Sequence, residues 1–415
     1  MKALSAATSD VGRVRAHNED SFLENASLGL YAVADGMGGH KAGEVASRMA
    51  LDVFSSELAH FRMLIETCAH GPTPSLRRQI MERMDQAMQK ASAAVFSVGQ
   101  SDPERKGMGT TLSALLLVGR SAFIAHVGDT RVYLLRDNQV HKLTEDHTLV
   151  AEQRKKGLLT AEEAARFPYK NVVTRGVGLF ESVPVDTLHL EIAPADKFLL
   201  CSDGLHECLS EEEIPAMFDA ASLEDVTRRL VELANLHGGR DNITALAVEV
   251  PDLPMSEGEI AVHQKLETLR QIALFRKLSY SELIKTLNAA QILHHQKGDM
   301  IIREGERGDR LYIILSGAVD ILKDNVYLTT LERGGHFGEM ALIENSVRSA
   351  TVRAAKPCDL LAVEQSEFYR LLGEEPHLAV KILLNFVGVL SERLRETTRA
   401  FSESRRRITE INISG

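Results

Sequence analysis

The sequence predicts an α+β protein with more than one domain, and three features lead to this fold class. Its 415 residues are enough for two or three domains that each bury a hydrophobic core. Helical patterns are interspersed with short β-prone segments separated by glycine-containing turns, as in antiparallel sheets. The stretch 251–258, with two prolines, a glycine and acidic residues, has the composition of a linker.

Composition limits the kinds of partner. The chain is 44% hydrophobic and 26% charged, which is ordinary for a globular protein, and its formal net charge is -10. This acidity argues against nucleic acid or an anionic membrane as a partner, and we interpret the basic run 405–407 as a solvated helix end. The four cysteines form no CxxC pair, no signal peptide precedes the first strand, and no apolar run reaches the ~18 residues of a membrane span. We therefore expect a soluble cytoplasmic protein.

The region before the linker is expected to begin with strands over 4–9 and 30–33 and helices over 41–58 and 75–98. Three β segments follow over 112–118, 121–127 and 131–135. Helix-prone sequence over 144–167 leads into a loop over 171–178. A strand over 198–201, helices over 211–218 and 223–237, and a strand over 243–250 complete the region.

Three aspartates share one local setting. Asp35, Asp203 and Asp241 each lie at the edge of a predicted strand, beside glycine or in a glycine-rich turn. Any one of them alone is compatible with an ordinary turn. Three such carboxylates are hard oxygen ligands without a His or Cys cluster beside them, so they favour Mg²⁺ or Mn²⁺ over Zn²⁺. The sequence therefore predicts a divalent metal site built from distant parts of the chain.

The region from about residue 1 to residue 250 resembles the metal-dependent type 2C serine/threonine phosphatases in their compact bacterial form. Six segments carry the resemblance and occur in the family's order: Val14–Asp20, Ala34–His40, Gly107–Thr111, Gly128–Arg131, Cys201–Gly204 and Gly239–Asn242. The resemblance implies an α-β-β-α sandwich of two antiparallel sheets flanked by helices, with metals in a cleft at one end. It also implies hydrolysis of phosphoserine and phosphothreonine in protein substrates without a covalent phosphoenzyme.

Carried over position by position, the resemblance assigns roles to individual residues. Binding of two Mn²⁺ or Mg²⁺ ions, directly or through metal-bound water, is implied for Glu19, Asp20, Asp35, Gly36, Asp203 and Asp241. Within this set Asp35 bridges the two ions, whereas Glu19 and Asp20 hold waters. Arg15 binds the substrate phosphate. Arg15, Glu19 and Asp20 are weak signals by themselves, because charges at this spacing usually lie on a solvated loop.

Two further positions carry alternatives. His40 is a candidate proton donor to the leaving alkoxide, and a histidine that is only hydrogen-bonded near the turn is the competing interpretation. The family often binds a third metal through the aspartate of Gly128-Asp129 and an aspartate four residues after the second Asp-Gly, where this chain has Glu207. Glutamate supplies oxygens on a longer arm, so Asp129 is the stronger assignment. Residues 146–178 occupy the place of the family's flap.

The region after the linker has a different pattern. A helical pattern over 261–273 and a short helix over 281–289 precede glycine-punctuated β runs, which predict a small antiparallel jelly roll. Within it, Gly338 opens a short helix whose free amides suit an anion, and Arg348 is a bidentate partner for that anion. A structural ion pair between Glu339 and Arg348 is the competing interpretation.

Residues from about 260 to 390 resemble a cyclic nucleotide-binding domain of the catabolite-activator and protein-kinase-regulatory type. The resemblance implies that Arg348 pairs with the cyclic phosphate and that Glu339 binds the ribose 2′-hydroxyl. The rest of the implied pocket consists of Gly338, Met340, Ala341 and Ser349. The Arg-Ser-Ala core favours cAMP, although a hydroxyl at this place is also similar to cGMP-selective kinases.

Pro376 opens a long helical pattern over about 377–407. Its apolar stripe predicts a lid over the nucleotide, the seam of a homodimer, or both; the stripe consists of Ile382, Leu383, Phe386, Val387, Leu390 and Leu394. The chain ends at Gly415, so we expect no DNA-binding helix-turn-helix after this domain.

These observations favour a phosphatase domain over 1–250, a linker over 251–258, a cyclic nucleotide-binding domain over 259–395 and a helical tail over 396–415. The leading hypothesis is a phosphoprotein phosphatase regulated by cAMP. One alternative keeps the enzyme and treats the barrel as a ligand-free dimerisation or docking module. A third is a non-catalytic, cAMP-sensing scaffold, which the complete set of Arg15, Asp35, Asp203 and Asp241 disfavours.

Overall fold

The computed structural model describes residues 3–38, 42–169, 171–219, 222–250, 266–339 and 347–413. The chain divides into two compact units, Met1–Glu259 and Ile260–Gly415. The predicted linker 251–258 and three candidate site residues, His40, Met340 and Ala341, lie outside the described residues.

The first unit is built around two antiparallel sheets. Its strands are β1 Leu4–Asp10, β2 Asp20–Asn25, β3 Leu30–Met37, β4 Gly109–Thr110, β5 Leu112–Val118, β6 Ser121–Val127, β7 Arg131–Arg136, β8 Gln139–Lys142, β9 Asp186–Glu191, β10 Lys197–Cys201 and β11 Ile243–Glu249. One sheet has the order β1-β11-β10-β7-β8, and the other has the order β2-β3-β5-β6-β9 with β4 paired to β3. Contacts of β3 with β10 and β11 join the two sheets face to face.

Helices cover the outer faces of both sheets. They are α1 Ala42–Ala59, α2 Arg62–His70, α3 Pro74–Ser101, α4 Leu149–Lys155, α5 Ala161–Ala165, α6 Asp203–His206, α7 Ile214–Met217 and α8 Leu223–Leu236, with a 3₁₀ turn at Pro103–Arg105. Phe54 of α1 and Met84 of α3 pack with Ala32 and Ala114 of the second sheet, while Leu230 of α8 packs on the first. The α-β-β-α sandwich expected from the sequence is thereby confirmed.

The packing explains why the central strands are almost wholly apolar. All seven residues of β5 are buried, because one face of the strand meets helices and the other meets the opposing sheet. The predicted bounds of β5 and β6 are those observed. The expectation that β3 ends before Asp35 is wrong, since pairing of Gly36 with Thr110 of β4 extends the strand to Met37.

Strand register brings the motif-bearing turns to one end of the sandwich. In the first sheet, Asp10 at the end of β1 pairs with Ile243 at the start of β11, next to the end of β10. In the second sheet, Asp20 at the start of β2 pairs with Asp35, and Leu112 at the start of β5 pairs with Val127 at the end of β6. The connections that leave these strand ends therefore lie side by side.

The second unit contains two four-stranded antiparallel sheets. Its strands are β12 Ala290–His295, β13 Met300–Ile302, β14 Arg310–Ser316, β15 Ala318–Lys323, β16 Val326–Glu332, β17 His336–Phe337, β18 Thr351–Ala354 and β19 Cys358–Glu364. The sheet orders are β12-β19-β14-β17 and β13-β18-β15-β16. Ile314, Val319, Val352 and Leu360 are buried in the core that the sheets share. This arrangement agrees with the predicted small antiparallel barrel.

Helices flank this barrel. They comprise a helical segment over 266–271, a 3₁₀ turn at Ala273–Phe275, and helices α9 Tyr280–Asn288, α10 Gln365–Glu374 and α11 Pro376–Ile413. The first turns of α11 pack on the unit: Lys381 contacts Glu282 of α9 at 2.7 Å, and the amide of Asn385 donates to the Leu274 carbonyl at 2.9 Å. In the part of the chain that the structure describes, no helix combines the length and apolarity needed to cross a membrane.

Candidate functional site

Two of the predicted metal-site carboxylates face each other across a strand pair. Asp20 on β2 lies directly opposite Asp35 on β3. The backbone amide of Asp35 donates to the Thr111 hydroxyl at 3.0 Å, and its carbonyl accepts from the Thr110 hydroxyl at 2.8 Å. Only 8% of Asp20 is exposed, so this residue does not lie on a solvated loop, where charges at such a spacing are usually found.

Asp20 connects the two sheets through its carboxylate. The hydroxyls of Ser202, just after β10, and Thr244 on β11 both donate to Asp20 Oδ2 at 2.7 Å. The other oxygen, Oδ1, is buried without a hydrogen-bond partner. Fixing one oxygen with two donors leaves the other oriented and available to a ligand. Ser202 and Thr244 received no role from the sequence, although both lie within three residues of a motif aspartate.

The remaining aspartates come from the neighbouring turns. Asp203 is the first residue of α6, and its Oδ1 is also buried without a partner. Gly204 follows it because a Cβ there would lie 2.1 Å from the Asn242 carbonyl oxygen. Asp241 accepts a 2.7 Å bond from Nη2 of Arg15, whose side chain is 53% exposed.

The electrostatics show that these groups are crowded in a poorly solvated place. Burial raises the pKa of Asp20 to about 6. The hydrogen bonds from Thr244 and Ser202 oppose this shift, whereas the charge of Asp241 adds to it. Burial and the charges of neighbouring aspartates raise the pKa values of Asp35 and Asp203 well above the ordinary value. Burial, then the charge of Asp146, raises the pKa of Asp129 to about 7. Anionic groups therefore need additional positive charge here.

This donor set fits divalent cations. The oxygens of Asp20 and Asp203 that have no hydrogen-bond partner are hard ligands. A nearby cation would stabilise the ionised form of these two groups, whose pKa values are raised. Among the residues that the structure describes, no group of three or more His, Cys, Asp or Glu side chains is arranged so that it could hold a metal ion by itself. Mg²⁺ commonly takes one or two carboxylates and keeps several waters, so a complete protein cage is not required.

Glu19 and Glu207 lie at the margins of the cluster. The carboxylate of Glu19 lies against Gly43, where a Cβ would be 2.7 Å from its Cδ, and burial raises the Glu19 pKa. The Glu19 carbonyl accepts from the Gly36 amide at 3.2 Å, which places the two predicted ligands together. The negative charge of Glu207 raises the pKa values of both Asp129 and Asp203. The structure thus brings the predicted third-metal pair near the main cluster.

The second unit places Arg348 inside a backbone pocket. Only 9% of Arg348 is exposed, and its guanidinium donates to the carbonyls of Gly338 at 3.1 Å and Arg310 at 3.0 Å. Burial lowers the pKa of Arg348. A Cβ at Gly308 would lie 2.0 Å from Arg348 Nε, so glycine makes room for the guanidinium.

Other members of the predicted nucleotide site are less enclosed. The charge of Glu339 acts on Arg348, so the carboxylate and the guanidinium lie in the same region. Ser349 is exposed, and its carbonyl accepts from Lys323 at 3.0 Å. Tyr312 lies beneath the guanidinium, with its ring centroid 6.0 Å from Arg348 Cζ. No role was predicted for Tyr312 from the sequence.

Comparison with known families separates the same two regions. The family model for protein phosphatase 2C matches residues 13–243, and the model for the cyclic nucleotide-binding domain matches residues 292–375. The fold and the carboxylate cluster thus define a type 2C phosphatase domain that is followed by a cyclic nucleotide-binding domain. This chain belongs to the protein phosphatase 2C family.

Two bacterial phosphatases are similar to this chain over somewhat more than half of its length. The serine/threonine protein phosphatase PstP of Mycobacterium tuberculosis is 37% identical over 247 residues, which are 60% of this chain and 45% of that protein. The serine/threonine phosphatase stp of Listeria welshimeri is 38% identical over 244 residues, which are 58% of this chain and 93% of that protein. The chain therefore spans about half the length of the mycobacterial relative.

Solved structures agree with this assignment. The crystal structure of the M. tuberculosis phosphatase PstP/Ppp matches with a TM-score of 0.53 and 35% identity, covering 60% of this chain and 99% of that one. The PstP catalytic domain in complex with two manganese ions matches with a TM-score of 0.51 and 36% identity, again over 60% of this chain and 99% of that one.

Proposed function

We propose that this protein is a metal-dependent phosphoserine and phosphothreonine protein phosphatase that responds to a cyclic nucleotide, with cAMP favoured over cGMP. One observation carries the catalytic part: the charges of Asp20, Asp203 and Asp241 all act on Asp35, and Oδ1 of both Asp20 and Asp203 is buried without a hydrogen-bond partner. The half-exposed Arg15 contacts Asp241 beside them. The manganese complex of the related PstP catalytic domain supports the same chemistry.

The residues present would hold two Mn²⁺ or Mg²⁺ ions. Asp35, Asp203, Asp241 and the Gly36 carbonyl supply direct ligands in this proposal, Glu19 and Asp20 orient bound waters, and Asp129 with Glu207 supplies a third position. Bound divalent ions lower the pKa of water to near neutrality and stabilise charge on a transferring phosphoryl group. The protein's own contribution is to fix these oxygens rigidly at the strand ends of two sheets.

Arg15 supplies the contact to the substrate phosphate. Its guanidinium is tethered to Asp241 yet half exposed, so it can bind phosphate oxygens without a large rearrangement. A water attacks phosphorus, the bond to the serine or threonine oxygen breaks, and inorganic phosphate and the free hydroxyl are the products. His40 remains the candidate donor of the proton to the leaving oxygen.

The proposed nucleotide site rests on Arg348. Its cation is buried against the neutral carbonyls of Gly338 and Arg310. A cyclic phosphate offers this guanidinium an anionic partner in a poorly solvated place, and such charge-assisted bonds are strong. Glu339 is the proposed partner of the ribose 2′-hydroxyl. Ligand-dependent stabilisation of one arrangement of the flanking helices would link this pocket to the catalytic rate.

The direct test is the rate of phosphothreonine-peptide hydrolysis with Mn²⁺ as cAMP or cGMP is varied. We expect a saturable change in rate of about 5-fold to 150-fold, the usual range of coupling between sites, with cAMP acting at lower concentration. Absence of saturable cAMP binding at millimolar concentration would support a ligand-free module. Failure to hydrolyse either the peptide or p-nitrophenyl phosphate would support the scaffold hypothesis.

The exposed face of α11 supports a homodimer as a second proposal. Ile382 and Phe386 pack on their own unit, whereas Val380, Val387, Leu394 and Phe401 are exposed and recur every seven residues. Such a repeat is typical of a coiled-coil seam. We expect twice the monomer mass by sedimentation equilibrium, and Leu394→Glu should yield monomers, whereas Glu392→Lys on the same helix should not. A monomeric wild-type protein would contradict this proposal.

A further inference from the structure

The side-chain amide of Asn242 makes three hydrogen bonds, all of them to the backbone of one loop. The residue is 5% exposed and immediately precedes β11. Its Nδ2 donates to the carbonyl oxygens of Val11 at 3.0 Å and His17 at 2.9 Å, and its Oδ1 accepts from the Glu19 amide at 2.9 Å. Both amide hydrogens and the amide oxygen are therefore engaged.

These three bonds fix both ends of the segment 11–19, which is called the Arg15 loop below. The middle of the loop is open to solvent: the side chain of Val14 is exposed, and that of Arg15 is half exposed. The Arg13 amide donates to the Gly239 carbonyl at 2.7 Å. The conformation of the Arg15 loop is thus determined mainly by contacts with a turn that lies more than 220 residues later in the chain.

The same turn also holds the arginine side chain. Asp241, adjacent to Asn242, accepts from Arg15 at 2.7 Å, and a Cβ on Gly12 would lie 2.2 Å from the Asp241 carbonyl. The loop backbone and the guanidinium are therefore set by consecutive residues. Movement of this backbone would displace Arg15 from Asp241 and Glu19 from Gly43.

We infer that Asn242 is a positioning residue for phosphate binding, because it holds the Arg15 loop in the conformation that presents the guanidinium to substrate. This inference rests on the proposed phosphatase function. Asparagine is specifically suited to the position: aspartate lacks the two donors, serine is too short to bridge three backbone groups, and glutamine places its amide one methylene farther out.

The test compares Asn242→Ala with wild type in phosphothreonine-peptide hydrolysis at saturating Mn²⁺. The loss of three hydrogen bonds, offset in part by relaxation of the loop, predicts a KM increase of about 10-fold to 100-fold. The inhibition constant of inorganic phosphate should rise by a similar factor, while kcat changes by less than about threefold. Asn242→Ser provides a second variant should the alanine variant fold poorly.

A double-mutant cycle separates positioning from a general structural role. In an Arg15→Ala background, Asn242→Ala should have almost no further effect on KM, because the group it positions is gone. The matched control is Gln89→Ala on α3, which removes a side-chain amide that holds a different backbone segment: it donates to the Val183 carbonyl at 2.7 Å and accepts from the Val183 amide at 3.1 Å. It should leave KM unchanged.

Two outcomes overturn the inference in an active enzyme. One is an Asn242→Ala effect that persists undiminished without Arg15, and the other is a loss confined to kcat and Mn²⁺ affinity. Absence of Mn²⁺-dependent hydrolysis in the wild-type protein would instead overturn the proposed function on which the inference rests.

Discussion

Asp203→Asn is expected to lower kcat/KM for a phosphothreonine peptide by about 10³-fold or more at saturating Mn²⁺. Asp203 Oδ1 is buried and has no protein partner, so the proposed role of this carboxylate is to bind a cation. A metal ion contributes several kcal/mol of charge stabilisation in the transition state, and each 1.36 kcal/mol is about tenfold in rate. Nucleotide affinity should stay unchanged, since the nucleotide site belongs to the other unit.

The matched control is Asp225→Asn on α8, which removes an aspartate that pairs with Arg228 at the surface. It should retain full activity. Retention of more than a tenth of the wild-type rate by Asp203→Asn would exclude Asp203 as a metal ligand.

Stability without metal gives an independent readout for the same variant. Because the folded-state pKa values of Asp20 and Asp203 are raised, the folded protein binds protons that the unfolded chain has released. In the presence of a chelator, the contribution of these two groups to the free energy of unfolding should therefore be largest below about pH 4. This contribution should fall as the pH rises through their folded-state pKa values. For Asp20 the fall is about 3 kcal/mol, at about 1.4 kcal/mol per pKa unit. Asp203→Asn should weaken this pH dependence in thermal denaturation.

The second large effect is expected from Arg348→Ala, which should weaken cAMP binding by about 30-fold to several thousandfold. Loss of one partner of a buried, hydrogen-bonded charge pair costs about 2–5 kcal/mol, and the bound phosphate would be left without its cation. Gly308 and the carbonyls of Gly338 and Arg310 enclose the guanidinium that the substitution removes. Isothermal titration with cAMP measures the change.

Arg353→Ala is the control, because Arg353 lies on β18 of the same barrel but is about half exposed and contacts Asp320 at 4.0 Å. It should leave cAMP affinity within about twofold. Phosphatase activity without nucleotide should persist in Arg348→Ala. If that variant kept the wild-type rate response to cAMP, the regulatory assignment would be wrong.

Local sequence signals were sufficient to predict the main elements. The unbroken apolar run of β5 predicts a strand that is buried on both faces, and the periodicity of 75–98 predicts a helix that is buried along one stripe. Both patterns can be read without knowing which elements pack against them. The segment that became β2 gave no such signal, since Asp20–Asn25 mixes acidic and apolar residues and its one buried residue is an aspartate.

The candidate site likewise contains some residues that local sequence predicts and others that it does not. Asp35, Asp203 and Asp241 could be selected because each lies at the edge of a predicted strand, beside glycine or in a glycine-rich turn, a pattern visible within a few residues. Ser202, Thr244 and Asn242 could not be given roles, because their partners lie 182, 224 and 223 or more residues away along the chain. Hydrogen bonds over such separations are defined by sheet register.

The sequence by itself determined most elements of the two domains, the family resemblance and the candidate acidic ligands, because strand and turn chemistry is local. Only the tertiary structure decided that Asp20 is buried between two sheets with one free oxygen, and that Asn242 holds the Arg15 loop. The physical reason is that desolvation and long-range hydrogen bonding depend on which strand ends become neighbours.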